Sequence, residues 1–392
     1  MISKNVILKN FKVKNIKTST NSIIKKNISK EIKNRKNLLN SLSRSYKYSY
    51  NKKDLSSLKN FKEINLIGMG GSTLGTEAIY SFLNQKVKKK INFFNNLDNF
   101  QKTNNKKSCN IIVSKSGNTL EVATNINLFI KKSDKNLIIT ENKKNYLNMI
   151  ASDLKSEVIE HKNFIGGRYS VLSEVGMIPA ELMGLNINKF KNINKLIKSK
   201  SFNRSLVDSV ERTIRLIKNK KFNSIILNYD TRSIKLFEWY QQLISESLGK
   251  KSKGILPIVS SMPKDNHSLM QYYLDGPKIN FFTFFFVFEK MSKSLSNTSL
   301  LKNFSYLRNK RLIDIIYTQK KATENIFDLK KIPFRSFEIK NRTEESLGEL
   351  FSFFILETIL LGRALKVNPF DQPSVELIKK ETKKIFNTNK QK

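Results

Sequence analysis

Six short groups of residues in this chain could do chemistry. Gly70-Gly71-Ser72 and Ser114-Lys115-Ser116-Gly117-Asn118-Thr119 each stand where an apolar run hands over to a helical pattern. Backbone N–H groups at such a turn, with a helix dipole behind them, favour an anion. The hydroxyls of Ser114, Ser116 and Thr119 add donors, and Lys115 adds charge, so the loops read as a monophosphate cradle. They are not a P-loop, because the Gly-Lys-Ser/Thr ending is absent. Gly68-Met69-Gly70 is not a dinucleotide fingerprint either, because Thr73 stands where the third glycine belongs. The competing reading is a pair of ordinary strand-to-helix turns. Gly166-Gly167-Arg168 lets the backbone pass close to a ligand and offers a planar fork to an anionic oxygen. Alone it is equally a glycine turn followed by a solvated arginine. Glu246 follows Gln241-Gln242 and precedes Ser247, with Gln242 one turn earlier on the same helix face. Alone it is a surface carboxylate. His267 and His161 are the two histidines, and His161, among charged neighbours, is expected at the surface. Lys379 is one of many lysines on a terminal helical pattern.

Alternating strands and helices must position these groups. Ile64–Ile67, Ile111–Val113, Leu137–Ile139, Ile225–Leu227 and Phe281–Phe288 read as strands. Helical patterns run through Ile79 and Phe82, from Leu120 to Ile130, and from Thr231 to Leu248. Leu347, Leu350, Phe351, Phe354, Thr358 and Leu361 form one apolar helical face. A terminal helix is entered through Pro373 in its first turn. The βαβ rhythm occurs twice, with a Lys/Asn-rich bridge near 186–202, and predicts a doubly wound α/β fold.

Composition narrows the function classes. A chain of 392 residues with 27 phenylalanines has room for two or three cored domains. The net charge of +40 would ordinarily raise nucleic acid or an anionic membrane. Here the lysines are spread along the chain with Asn, Ile and Phe, so compositional bias plus phosphate ligands is the expected explanation, and no nucleic-acid partner is expected. Cys109 cannot form an internal disulfide, which fits a reducing compartment, and it reads as a small buried hydrophobe. One Cys and two His cannot make a zinc-type cluster. The longest apolar run is too short for a bilayer, and the N-terminus lacks a signal-length apolar stretch. The absence of acids before Glu31 hints at a transit peptide, which lysine enrichment throughout weakens. A cytoplasmic location is expected.

Gly166-Gly167-Arg168-Tyr169-Ser170-Val171-Leu172-Ser173-Glu174-Val175-Gly176 closely resembles the signature of the glucose-6-phosphate isomerase family. Asn368-Pro369-Phe370-Asp371-Gln372-Pro373-Ser374-Val375-Glu376-Leu377-Ile378-Lys379 resembles its C-terminal signature. The Gln-Gln-x-x-x-Glu-Ser pattern ending at Ser247, the Lys264–Gln271 segment and Asn96-Leu97-Asp98 fit in the same order. The likeness runs from about Ile64 to Lys379. It implies two αβα sugar-isomerase domains, mainly parallel, with a C-terminal helical arm. The expected divisions are an N-terminal helical segment (1–50), a first domain with the phosphate loop (51–190), a second with Glu246 and His267 (200–366), and the arm (367–392).

The resemblance also implies reversible isomerisation of glucose 6-phosphate and fructose 6-phosphate through a cis-enediolate. Glu246 would carry the proton between C2 and C1. Arg168 would steady the enediolate oxygen. His267 and Lys379 would open and close the ring, a task for which histidine titrates in the right range. Gly71, Ser72, Ser114, Lys115, Ser116, Thr119, Gln242 and Gln372 would hold phosphate or orient the sugar. No metal or nucleotide is implied. In the family the histidine enters the neighbouring site, so a homodimer sharing His267 is expected. Two departures stand out: Ser374 replaces a glycine, and Met262-Pro263-Lys264 replaces a glycine-containing approach to the histidine. Ser374 is expected to be harmless if it lies in the first helical turn. The chain is short for the family. The alternatives are an isomerase of another phosphosugar, such as mannose 6-phosphate, and a non-catalytic sugar-phosphate-binding regulator.

Overall fold

The computed structural model describes residues 2–11, 27–98, 108–296 and 298–388. Part of the acid-free N-terminal tract (12–26) and the end of the C-terminal arm (389–392) lie outside the described residues. Strand β1 (Val6–Lys9) comes first. One sheet contains β2 (Glu63–Gly68), β3 (Lys90–Phe94), β4 (Ser108–Val113), β5 (Asn136–Thr140) and β6 (Glu157–Glu160), all parallel, in the order β3-β2-β4-β5-β6. The other contains β7 (Asn223–Asn228), β8 (Leu256–Ser261), β9 (Asn280–Val287) and β10 (Phe334–Ile339), in the order β1-β10-β9-β7-β8. Its four later strands are parallel, and β1 runs antiparallel on the edge against β10.

The apolar runs became strands for a visible reason. Strand β9 lies between β10 and β7, and all eight of its residues are buried. Covering both faces of a parallel sheet needs a continuous apolar run rather than alternation. Its two faces serve different layers. Phe281 and Phe285 join the large central core, while Phe282, Phe284 and Phe286 pack outward with Phe327 and Phe334. Cys109, on β4, is fully buried, and burial pushes its thiol up to about 11.

Three expectations change. Residues 1–50 are not simply helical: 27–33 are helical and Leu38–Leu42 form a 3-10 turn, but Val6–Lys9 is a strand. Val6 and Leu8 point inward, and the segment covers the otherwise open edge of β10. The helix Glu344–Leu365 is buried all round from Ser346 to Gly362, not on one face. It is wedged against the helices Lys200–Lys218 and Ile234–Leu248 and the turn Ile187–Phe190. Gly348 permits this, since a Cβ there would stand 2.0 Å from the Phe190 carbonyl oxygen. His161 is buried, not exposed. It follows β6, its N–H donates to the Thr140 carbonyl at 2.7 Å, and burial lowers its pKa to about 4. The charged neighbour Glu160 is exposed and Lys162 is half-buried, with its amine 4.3 Å from the Tyr46 ring centroid, while the imidazole is buried.

Each sheet has a topological switch point, where successive connections leave on opposite sides. In the first it lies between β2 and β4, so the loops after these strands flank one crevice. In the second it lies between β7 and β9, and there the chain fills the crevice itself. Arg342 donates to Asp230 at 2.7 and 3.1 Å and to Glu289 at 2.9 Å, and Arg232 pairs with Glu289 as well. The Arg342 guanidinium also lies 4.7 Å from the Phe82 ring centroid and donates to the Phe82 carbonyl at 3.3 Å. Phe82 ends the helix Leu74–Phe82, which packs on Ile234–Leu248 and so joins the two sheets. Among the described residues no helix is long and apolar enough to cross a membrane.

This cluster carries a stability prediction. Asp230 and Arg342 expose only 9% and 8% of their side chains. Arg342→Ala strands a buried carboxylate and is expected to destabilise by about 3–5 kcal/mol. Equilibrium urea unfolding measures it, and a loss below about 1 kcal/mol would show that the cluster does not clamp the sheets.

Candidate active site

Arg168 lies on the 3-10 turn Gly167–Leu172, just before the helix Glu174–Leu182, and is 3% exposed. All five of its N–H donors are used. Nε donates to Ser247 Oγ at 2.8 Å. One terminal nitrogen donates to Glu246 Oε2 at 3.1 Å and Gln372 Oε1 at 2.8 Å. The other donates to the carbonyls of Pro369 at 2.6 Å and Asp371 at 3.1 Å. The Trp239 indole N–H donates to the Arg168 carbonyl at 3.2 Å, fixing the turn from the helix Ile234–Leu248.

The turn after β2 is pressed against this arginine. A Cβ on Gly71 would stand 2.3 Å from the Gly167 carbonyl carbon and 2.5 Å from Arg168 N. Gly70 has φ +54°, and a Cβ there would meet Gln242 Nε2 at 2.7 Å. Only glycine tolerates both constraints. Gln242 Nε2 donates to Glu246 Oε1 at 3.0 Å, one turn along the helix. Gln242 Oε1 is buried without a partner among the described residues, an acceptor left for a hydroxyl. The Glu246 side chain is 29% exposed and faces a cavity of about 220 Å³, also lined by Ser245, Gln372, Ser374 and Val375.

The loop after β4 has a divided role. Ser114 Oγ bonds Thr119 Oγ1 at 2.8 Å and accepts the Gly117 N–H at 3.1 Å, so Ser114 shapes the loop. Gly117 has φ +69°, and a Cβ there would overlap the Asn145 side chain. Lys115 donates to the Asn163 carbonyl at 2.8 Å and lies 3.6 Å from Glu141. Burial holds the Lys115 amine below its ordinary range. Ser116 is exposed, Thr119 is the half-buried N-cap of Leu120–Phe129, and Ser72 is half-buried in the neighbouring turn. Ser116 Oγ and the first-turn N–H groups of that helix therefore face the crevice available to an anion.

The structure brings Gly71, Arg168, Gln242, Glu246 and Gln372 into one contact cluster, beside the crevice that holds Ser72 and the Ser114–Thr119 loop. It does not bring His267 or Lys379 into that cluster. His267 is exposed at the end of the 3-10 turn Lys264–His267, beyond the C-terminal end of β8. Glu246 is near the C-terminal end of the helix preceding β8, hence near the strand's opposite end. Gln241 marks that end by donating to the Pro257 carbonyl at 3.1 Å. The six residues of β8 span about 20 Å. Lys379, on the helix Pro373–Thr388, has a 61% exposed side chain and donates to Glu376 at 2.6 Å. Ser374 sits in the first turn of that helix without positive φ, as its harmless reading required.

Three site residues escaped the sequence reading. Ser247 and Tyr169 share a hydroxyl contact at 2.9 Å, and Tyr169 donates to the Pro369 carbonyl at 2.9 Å. Lys250 pairs with Asp371 at 3.0 Å. Tyr169 and Ser247 had the signal of adjacency to Arg168 and Glu246. Lys250 had none, because a lysine after a helix C-terminus is commonplace. Among the described residues no group of three or more His, Cys, Asp or Glu could hold a metal ion.

Comparison with known proteins places the chain in a family. Residues 12–255 match the family model described as phosphoglucose isomerase. A glucose-6-phosphate isomerase of Mycoplasmopsis pulmonis is 31% identical over 82% of this chain and 82% of its own length. One from Methanocaldococcus jannaschii is 30% identical over 85% and 86%. Two solved structures share the fold: a hypothetical protein of Thermus thermophilus (TM-score 0.81, 20% identity, 94% of this chain and 95% of that one) and a glucose-6-phosphate isomerase of Chlamydia trachomatis (0.70, 18%, 96% and 76%).

The backbone contact at Gly71 gives a direct test of the cluster. Gly71→Ala drives a methyl group into the Gly167 peptide, so the Arg168 turn must shift. The expected cost is about 1–3 kcal/mol in stability, from overpacking, together with a fall in isomerase turnover. Thermal melting and a coupled turnover assay read the two effects, and unchanged values in both would separate the glycine turn from the arginine.

Proposed function

Because the chain belongs to the phosphoglucose isomerase family, we propose that Glu246, Arg168 and the neighbouring glycine turn form the centre at which it interconverts glucose 6-phosphate and fructose 6-phosphate. The observation that carries this is the single hydrogen-bonded cluster joining Glu246, Arg168, Gln242 and Gln372 beside Gly71. One half-buried carboxylate stands against one buried guanidinium, which suits a proton shuttle that works beside a developing oxyanion.

The chemistry follows from the placement. Opening the hexose ring needs a proton delivered to the ring oxygen and one removed from the C1 hydroxyl. His267 and Lys379 are assigned to that step. Glu246 then takes the C2 proton, leaving electrons on an enediolate whose oxygens face Arg168. The protonated Glu246 returns the proton to C1, the hydroxyl proton on O2 passes to O1, and the carbonyl is left at C2. The base is regenerated and nothing else is consumed. A fixed guanidinium in a dry site stabilises the enediolate more than the neutral substrate, which is what lowers the barrier. Because Arg168 has no free donor, an enediolate oxygen must displace Gln372 or Glu246 from its terminal nitrogen. The phosphate end is assigned to Ser72, Lys115, Ser116 and Thr119, with Ser114 shaping the loop. The unpaired Gln242 Oε1 is assigned to a sugar hydroxyl.

The separation of Glu246 and His267 at opposite ends of β8 supports a homodimer. One protomer cannot bring both residues to one hexose about 6 Å long, so His267 is assigned to the site of a second copy.

Two measurements test these assignments. Glu246→Gln is expected to retain sugar-phosphate binding and to lose about 10²–10⁴-fold in turnover, the usual contribution of a general base. Turnover within a few-fold of wild type in a coupled fructose 6-phosphate assay would remove Glu246 from the role. For the shared site, Glu246→Gln and His267→Ala protomers, each inactive alone, are mixed under exchange conditions. A verified heterodimer is expected to recover activity, since one of its two sites holds both intact residues. No recovery would place His267 in its own protomer's site or outside the reaction.

A further inference from the structure

Among the described residues, Lys250 is the one cation from outside the C-terminal arm that holds it without also touching Glu246. It lies two residues beyond the helix Ile234–Leu248, and its side chain is 12% exposed. The amine donates to the Ser247 carbonyl at 3.1 Å and to the Asn368 carbonyl, and it pairs with Asp371 Oδ1 at 3.0 Å. Arg168 grips the same stretch through Pro369, Asp371 and Gln372. The stretch Asn368–Gln372 is thus held from the first sheet's side by Arg168 and from the second's by Lys250.

The two grips are not equivalent. Arg168 must release Gln372 or Glu246 when an anionic oxygen reaches its terminal nitrogen, because every donor it has is in use. Past Pro373 the arm has little else to hold it: the helix Pro373–Thr388 has no buried residue, and Leu377 and Ile378 are exposed. Among the described residues, the hydrogen bonds and ion pairs of that helix are internal to it, so within one chain its direction is set at its first turn. Lys379 lies six residues beyond Pro373, about 9 Å along the axis, so a small rotation at the anchor moves its amine by ångströms. Positional errors of about 1 Å can cost about 10²-fold in rate.

We propose that Lys250 is a positioning residue for the isomerisation: it keeps the arm docked while Arg168 turns to the substrate, so that Gln372 stays beside Glu246 and the first turn of the helix that carries Lys379 keeps its place. This rests on the assignment of the arm to the active site. Lys250 acts through Asn368 and Asp371 and touches no reacting atom. The charge-paired part of the latch ends on Asp371, whose side chain is 51% exposed and therefore open to screening by salt.

The test uses the full-length protein and four variants. Lys250→Met keeps the stem and removes the amine, Lys250→Arg restores a cation, and Asp371→Asn removes only the charged partner. Lys379→Ala reports on the arm itself. Steady-state kcat and KM, melting temperature and hydrogen exchange over 368–388 are measured for each. Lys250→Met is expected to lose about 10–100-fold in kcat with a KM change of a few-fold at most. Exchange across 368–388 should accelerate while the melting temperature stays within about 4 °C, the shift of a surface-scale contact. Lys250→Arg should recover most of kcat, and Asp371→Asn should fall between. Wild-type kcat in Lys250→Met beside an inactive Lys379→Ala overturns the latch and leaves the arm assignment intact. Full activity in Lys379→Ala overturns the arm assignment itself. A kcat loss in Lys250→Met without faster exchange in the arm also overturns the latch. Should Lys250→Met fail to fold, Asp371→Asn decides, since wild-type kcat and exchange there would refute an ionic latch.

Discussion

A guanidinium removed from water must be fully hydrogen-bonded, and that requirement organises the rest of this site. An isolated buried charge costs several kcal/mol, which only opposed charges and well-placed acceptors offset. Arg168 meets the condition with acceptors from two regions: Ser247 and Glu246 on one helix, and, on the stretch that enters the arm, the carbonyls of Pro369 and Asp371 with the Gln372 side chain. One buried cation therefore sets the place of the Glu246 carboxylate and the entry of the terminal arm together. It also leaves the arginine saturated, so any further acceptor binds there only by displacing one of its present partners.

The second constraint is steric. Gly71 meets the Gly167 peptide and Gly70 meets the Gln242 side chain, so two turns from one sheet touch backbone to backbone and a helix from the other reaches them through one glutamine. Interiors this close cannot accept one added methyl without movement. The Arg342–Asp230–Glu289 cluster supports the same junction from the other switch point, through Phe82. It fills the second crevice with the chain's own charges, whereas the first crevice keeps Ser116 and Thr119 available. Two similar sheets thus differ at their switch points: one crevice is filled by the chain's own ion pairs, and the other is flanked by the Ser/Thr loop proposed to take phosphate.

The topology then decides which residues one chain can bring together. A helix joining two parallel strands runs antiparallel to them, so its last turn and the next strand's end lie at opposite ends of the sheet. Glu246 and His267 occupy those two places around β8. Under the proposed function, pairing them takes a second copy of the chain rather than the path of one, and a twofold interface would supply such a site twice.

Much of this was legible in the residues alone. The apolar runs at Ile64, Ile111, Leu137, Ile225 and Phe281 became strands because short buried segments of a parallel sheet need continuous apolar surface. The Gly-Gly-Arg turn, the Gln-Gln-x-x-x-Glu spacing and the Ser/Thr loop announced an anion site because local geometry, φ and helix periodicity act over only a few residues. What needed the tertiary structure was every relation between distant residues. Val6–Lys9 is a strand only because β10 has an edge to cover, and the helix Glu344–Leu365 is buried all round only because two sheets enclose it. His161 is buried despite its charged neighbours because alternation about the end of β6 turns it inward. Lys250, an unremarkable lysine in sequence, holds the arm because the fold returns residues 368–371, more than a hundred positions later, to the end of its helix. Sequence determines what a residue can do and what its near neighbours must be; which charge it meets across the chain is settled by packing alone.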